Sequence, residues 1–159
     1  MPSPSSDSTG PQEGSLLGGR YRIGRLLGRG GMGAVYEATQ EDLKRRVAVK
    51  VLDPALSSDR AHVERFRREA LAAAALGHPN IVTVTDFQWP PGEVPFLVME
   101  HLTGQSLGEA IERERHISTV RVAFIASQVL DALAAPGTDA LRGTTSLVKS
   151  PPSENWRET

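Results

Sequence analysis

Residues 27–35 read Leu-Gly-Arg-Gly-Gly-Met-Gly-Ala-Val, and Val-Ala-Val-Lys follows at 47–50. Gly28, Gly30 and Gly33 fit the pattern Gly-x-Gly-x-x-Gly, with Val35 two residues later. Glycine carries no Cβ, so a chain built this way turns tightly and lets bare N–H groups approach a phosphate. Lys50 then places a compact cation on a long stem inside an apolar strand. A glycine turn and a strand lysine at this separation point to a site for a nucleoside triphosphate.

Two architectures that hold nucleotides use such glycines. In a dinucleotide-binding unit they join a strand to a helix, and an acid about 20 residues further on meets the ribose. Residues 34–45 pass as a short helix, 47–52 as a strand, and Asp53 follows in the place of that acid. Residues 20–27, Arg-Tyr-Arg-Ile-Gly-Arg-Leu-Leu, argue against this, because an inner parallel strand is a nearly continuous apolar run. Lys50 would also stand unpaired in a sheet covered on both faces. An antiparallel hairpin, wet on one face, accommodates both facts. A phosphate loop of the Gly-x-x-x-x-Gly-Lys-Ser/Thr kind is excluded, since no lysine directly follows the glycines.

A strand lysine needs a counter-charge. Residues 58–76 have a helical pattern, with Val63, Phe66, Ala70, Ala73 and Leu76 at spacings of three and four. Glu69 shares that inward stripe, while Arg65, Arg67 and Arg68 fall mostly on other faces. From the helix alone, Glu69 reads equally well as a surface partner of Arg65. A carboxylate on the core face opposite a strand lysine favours an ion pair between Lys50 and Glu69.

With these residues the chain resembles the N-terminal part of a protein kinase, most closely the bacterial relatives of eukaryotic serine/threonine kinases. The matching features, in order, are the loop 27–35, the strand ending at Lys50, Arg-Phe-Arg-Arg-Glu at 65–69, His-Pro-Asn-Ile-Val at 78–82 and Phe-Leu-Val-Met-Glu at 96–100. The resemblance covers residues 20–135, roughly. It implies that the loop from Leu27 and Gly28 through Gly30 to Gly33 covers the phosphates of ATP. Lys50 would touch the α- and β-phosphates and pair with Glu69, the two residues it implies for catalysis. Val35 and Ala48 would roof the adenine pocket and Met99 would limit its depth. Glu100 and Leu102 would offer backbone groups to the adenine edge. For Met99 and Leu102, ordinary core packing is the competing reading.

Two tempting residues are set aside. His78 has no second ligand at suitable spacing and reads as structural, and no metal site is expected. Asp86-Phe87 is followed by Gln88 rather than glycine and reads as a strand end.

Residues 106–114 and 119–135 read as two helices, the second rich in Val120, Val122, Phe124, Ile125, Val129, Leu130 and Leu133. Gln128 and Asp131 break its apolar run, so it is too short to span a membrane. The resemblance implies a larger C-terminal lobe next, with His-Arg-Asp and then Asp-Phe-Gly, which holds magnesium. Neither motif occurs in the 159 residues, and from Pro136 apolar periodicity ends. A truncated or frame-shifted reading of a longer kinase gene is expected, with magnesium and protein substrates belonging to the intact parent. The alternative is a non-catalytic nucleotide-binding or interaction module derived from a kinase.

Charge is balanced, 18 basic residues against 19 acidic, which argues against nucleic acid or an anionic membrane as partner. No cysteine is present, so disulfides and thiolate metal sites are excluded. Residues 1–19, rich in Ser, Pro and Gly, lack the features of a signal peptide and are expected to form a disordered leader in a cytoplasmic protein.

The expected class is α+β. A kinase-like N-lobe at 20–102 would have about five antiparallel strands (near 21–29, 33–39, 46–52, 81–87 and 95–100) and the helix 58–76. Residues 103–135 would be the linker and first helices of an incomplete C-lobe, and 136–159 a disordered tail.

Overall fold

A computed structural model describes residues 10–135 and Lys149. In chain order the elements are β1 Leu16–Leu17, β2 Tyr21–Gly30, β3 Gly33–Gln40, β4 Arg45–Leu52, α1 Pro54–Ser57, α2 Arg60–Ala75, β5 Val84–Gln88, β6 Phe96–Glu100, α3 Leu107–Glu114 and α4 Thr119–Ala134. The class is α+β. One compact unit takes the chain up to Ala70 together with Val84–His101; the other takes Leu71–Thr83 and the residues from Leu102 onward.

The first unit is built on a six-stranded sheet in the order β1-β2-β3-β4-β6-β5, with every neighbouring pair antiparallel. Along β3 burial alternates residue by residue, whereas β4 is buried continuously from Val47 to Leu52. That difference marks β4 as the strand covered on both faces. The register sorts the side chains. Ala34, Val51 and Phe96 stand abreast, as do Tyr36, Val49 and Val98. They join Leu17, Tyr21 and Ile23 in one buried cluster. Val35, Lys50 and Leu97 form a row on the opposite face, and Glu37, Ala48 and Met99 form the next.

The sheet has one strand more than expected. β1 lies within the stretch read from composition as a leader, yet Leu17 is buried and pairs with Tyr21. The hydrogen bonds Gly14 N–H to Ile23 C=O (2.7 Å) and Ile23 N–H to Ser15 C=O (2.9 Å) hold this segment against β2. Two leucines are too short a run to show a period, so composition dominated the reading. Residues 1–9 lie outside the described ones. The strand expected near 81–87 begins only at Val84: the turn at 79–80 is followed by a lone bridge at Ile81, and residues 82–83 lie outside the β5 ladder. Gly33 has φ +146°, and a Cβ there would fall 2.0 Å from the Val51 carbonyl oxygen, so the β2–β3 turn excludes any side chain at this position.

Helix α1 was not anticipated, although Asp53-Pro54 carries its signal. The Asp53 carboxylate accepts from Ala55 N–H at 2.8 Å and proline opens the helix. In α2 the stripe Val63, Phe66, Glu69, Ala70 and Ala73 is buried, while Arg65, Arg67 and Arg68 are exposed.

In the second unit, α3 starts with a reciprocal cap. Ser106 Oγ accepts from Glu109 N–H (3.2 Å), and a Glu109 carboxylate oxygen accepts from Ser106 N–H (2.6 Å). Asn80 donates to Gln128 (3.2 Å) and to the Lys149 carbonyl (3.3 Å). The tail expected at 136–159 lies outside the described residues apart from Lys149.

Candidate functional site

The face of the sheet that carries Lys50 gathers the residues singled out from the sequence. Strand β4 supplies Ala48 and Lys50, β3 supplies Val35, and β6 supplies Met99, while Glu100, opposite Val47, falls on the other face. Direct cross-strand pairing puts Val35 opposite Lys50 and Met99 opposite Ala48. At the end of this row Gly28 pairs with Val35 and Gly30 with Gly33, which closes the hairpin. Leu102 belongs to the second unit and is exposed.

Lys50 is 8% exposed and Glu69 3%. Lys50 Nζ donates to Glu69 Oε1 at 2.8 Å and lies 5.7 Å from the centre of the Phe66 ring. A buried cation therefore meets both a carboxylate and an aromatic face. The surface partnership of Glu69 with Arg65 is not what forms, because the helix turns Glu69 inward with Phe66 and Ala70.

Gly28 and Gly30 contrast with Gly33. A Cβ at either would meet nothing within 4 Å, and neither has a positive φ. The polypeptide itself does not demand glycine there. Close approach of a ligand to the backbone would demand it.

The set-aside residues have local partners. Asp86 accepts from the Tyr21 hydroxyl at 2.7 Å and from Gln88 Nε2 at 2.7 Å. Burial, and next the hydrogen bond to Asp86, push the Tyr21 phenol up to about 12. His78 Nδ1 accepts from Asn80 N–H at 3.1 Å. Asp53, the acid a dinucleotide fold would use, caps α1 in an antiparallel sheet. Among the described residues no three His, Cys, Asp or Glu side chains gather as metal ligands, and no helix is long and apolar enough to cross a membrane.

Side chains not anticipated also border the site face. Glu37 lies next to Ala48 across β3–β4; its carboxylate accepts from Arg25 Nε at 3.2 Å and stands 3.6 Å from His101 Nε2. Glu37 was legible, being two residues past Val35 on the same strand face. No pattern pointed to His101.

A family model described as the protein kinase domain matches residues 21–135. The chain belongs to the protein kinase family. This kinase chain is 43% identical over 120 residues to the serine/threonine-protein kinase pkn3 of Myxococcus xanthus, covering 76% of the chain and 22% of that relative. To the serine/threonine-protein kinase PknA of Mycobacterium tuberculosis it is 45% identical over 112 residues, 68% of the chain and 26% of the relative. To PknB of the same species it is 41% identical over 122 residues, 75% and 20% respectively. The kinase chain thus spans about a fifth to a quarter of the curated relatives it matches. Membership of the family implies ATP as substrate, with magnesium in general. The antiparallel sheet with one helix on the lysine side is the arrangement of a kinase N-lobe.

Proposed function

We propose that the first unit is the ATP-binding lobe of a serine/threonine protein kinase, which in the intact parent transfers a phosphoryl group to protein hydroxyls. The observation that carries this reading is the buried Lys50–Glu69 pair, with Lys50 in the same row of the sheet as Val35 and Gly28. A triphosphate needs a fixed cation and backbone donors that a side chain does not shield. Lys50, oriented by Glu69, supplies the first. The hairpin from Leu27 and Gly28 to Gly33 supplies the second, with open space where Cβ atoms would stand at Gly28 and Gly30. Val35, Ala48 and Met99 give the adenine ring an apolar wall, and the backbone at Glu100 its polar edge.

Calorimetric titration of the chain with ATP, in competition with NAD, tests the assignment. Binding of ATP that NAD does not displace and that Lys50→Met removes is the expected result. Displacement by NAD, or ATP binding indifferent to Lys50, overturns it.

A second reading, a nucleotide-binding or interaction module without chemistry, draws on the absence of His-Arg-Asp and Asp-Phe-Gly from the 159 residues. Reading the DNA beyond codon 135 in all three frames separates the two. A His-Arg-Asp followed by Asp-Phe-Gly in another frame favours the kinase parent, and their absence favours the module.

A further inference from the structure

We propose, on the reading of this lobe as an ATP site, that residues 10–17 form a strap that positions the nucleotide hairpin from behind, with Gly10 bearing on Tyr36 at the hairpin's root. Gly28 and Gly30 have no side chain to pack, and a Cβ at either would meet open space. The set of the hairpin over the phosphates is therefore fixed where its strands enter the sheet. There Tyr36 pairs with Leu26 and Val49, on the face opposite Lys50. Its side chain is 6% exposed and belongs to the buried cluster of that face.

The strap is fastened along β2. Besides the two backbone bonds between Gly14, Ser15 and Ile23, Arg22 Nη1 donates to the Gly14 carbonyl at 3.1 Å. Ser15 Oγ donates to the Gln12 carbonyl at 2.6 Å and closes a turn. Towards the start of the chain from this turn, the backbone crosses the hydroxyl end of Tyr36. A Cβ on Gly10 would fall 2.2 Å from Tyr36 Oη and 3.4 Å from Cζ, so the hydroxyl alone forbids a side chain there. The buried ring has little room to swing clear. Gly10 and Pro11 also share the walls of a cleft of about 110 Å³ with Gly30, Gly33 and Asp53. One end of the strap thus lies against the hairpin, while the other is paired into the sheet as β1. A hairpin braced in this way has less freedom to lose when a triphosphate arrives, so the strap tightens ATP binding from the face opposite Lys50.

ATP titration and amide exchange at residues 29–33, measured on the 159-residue chain, its Gly10→Ala variant and a Gly10→Ala/Tyr36→Phe variant, test the strap. The added methyl should lift the strap, weaken ATP binding about threefold and speed exchange in the hairpin. Tyr36→Phe removes the obstructing oxygen and leaves Cζ at 3.4 Å, so the paired substitution should regain most of both losses. Unchanged ATP affinity and hairpin exchange in Gly10→Ala, whether or not its unfolding midpoint falls, overturn the strap's role in binding. A paired variant no better than Gly10→Ala overturns the bearing on Tyr36. Both outcomes leave Lys50-dependent ATP binding in the unsubstituted chain intact, and its absence there removes the underlying site as well.

Discussion

Lys50 Nζ and Glu69 Oε1 meet at 2.8 Å, joining the central strand β4 to the inward face of α2. Both groups are out of water, so their attraction is weakly screened and each depends on the other for its solvation. Such a pair fixes where the ammonium points.

Lys50→Met leaves the Glu69 carboxylate buried without its cation and should cost about 3 kcal/mol of stability. Adding Glu69→Gln should restore most of that loss while ATP binding stays lost. In a full-length kinase carrying this lobe, Lys50→Met should lower phosphoryl transfer by about 100-fold or more. Chemical denaturation and nucleotide titration of the single and double variants measure the two effects separately. Recovery of binding in the double variant would mean that Lys50 serves the fold only.

The turn glycines should divide into two kinds. Gly33→Ala forces a Cβ against the Val51 carbonyl at a positive φ and should destabilise the lobe by about 2 kcal/mol or more. Gly30→Ala meets open space, so its unfolding midpoint should stay within a degree or two, roughly, while ATP affinity falls. Thermal unfolding with and without ATP distinguishes them. Equal loss of stability in both would place Gly30 with the structural glycines.

Tyr21 should make the lobe sensitive to alkali. Its phenol titrates near pH 10 in an unfolded chain and is pushed up to about 12 here by burial and by the bond to Asp86. A raised pKa means that the folded state keeps a proton the unfolded state has lost. This contribution is therefore complete below pH 10, roughly, and lost as pH rises towards 12. Tyr21→Phe should cost about 1 kcal/mol at neutral pH and flatten the decline in that alkaline window. Denaturant midpoints from pH 8 to 11.5, roughly, provide the check.

The chain by itself should transfer no phosphate to protein, since no His-Arg-Asp or Asp-Phe-Gly is present to orient a hydroxyl and hold magnesium. Incubation with labelled ATP, magnesium and a generic protein substrate tests this. Steady labelling that Lys50→Met abolishes would contradict it.

Helix α4 should also drive self-association, with Val120 73% and Leu130 65% exposed beside a half-exposed Phe124. Sedimentation velocity should show concentration-dependent association that Val120→Glu with Leu130→Lys reduces. An unsubstituted chain that stays monomeric at all concentrations would refute this expectation.

Local chemistry wrote much of the fold into the sequence. Helix α2 follows from a spacing of three and four, β4 from the apolar run around Lys50, and α4 from its wealth of apolar residues. The choice of an antiparallel sheet was legible in the arginines of residues 20–27, which a doubly covered parallel strand does not tolerate. Tertiary structure decided what depends on residues far apart in sequence. β1 was hidden because two leucines become a strand only when β2 supplies their hydrogen bonds. Glu69 had two plausible partners along the chain, and burial of its helix face against β4 selected Lys50 over Arg65. Gly33 differs from Gly28 and Gly30 only because the Val51 carbonyl passes behind it. The approach of His101 to Glu37 brings together side chains 64 positions apart, and no periodicity within either segment encodes that meeting. Periodicity reports which way a side chain faces, whereas sheet register reports what it meets there.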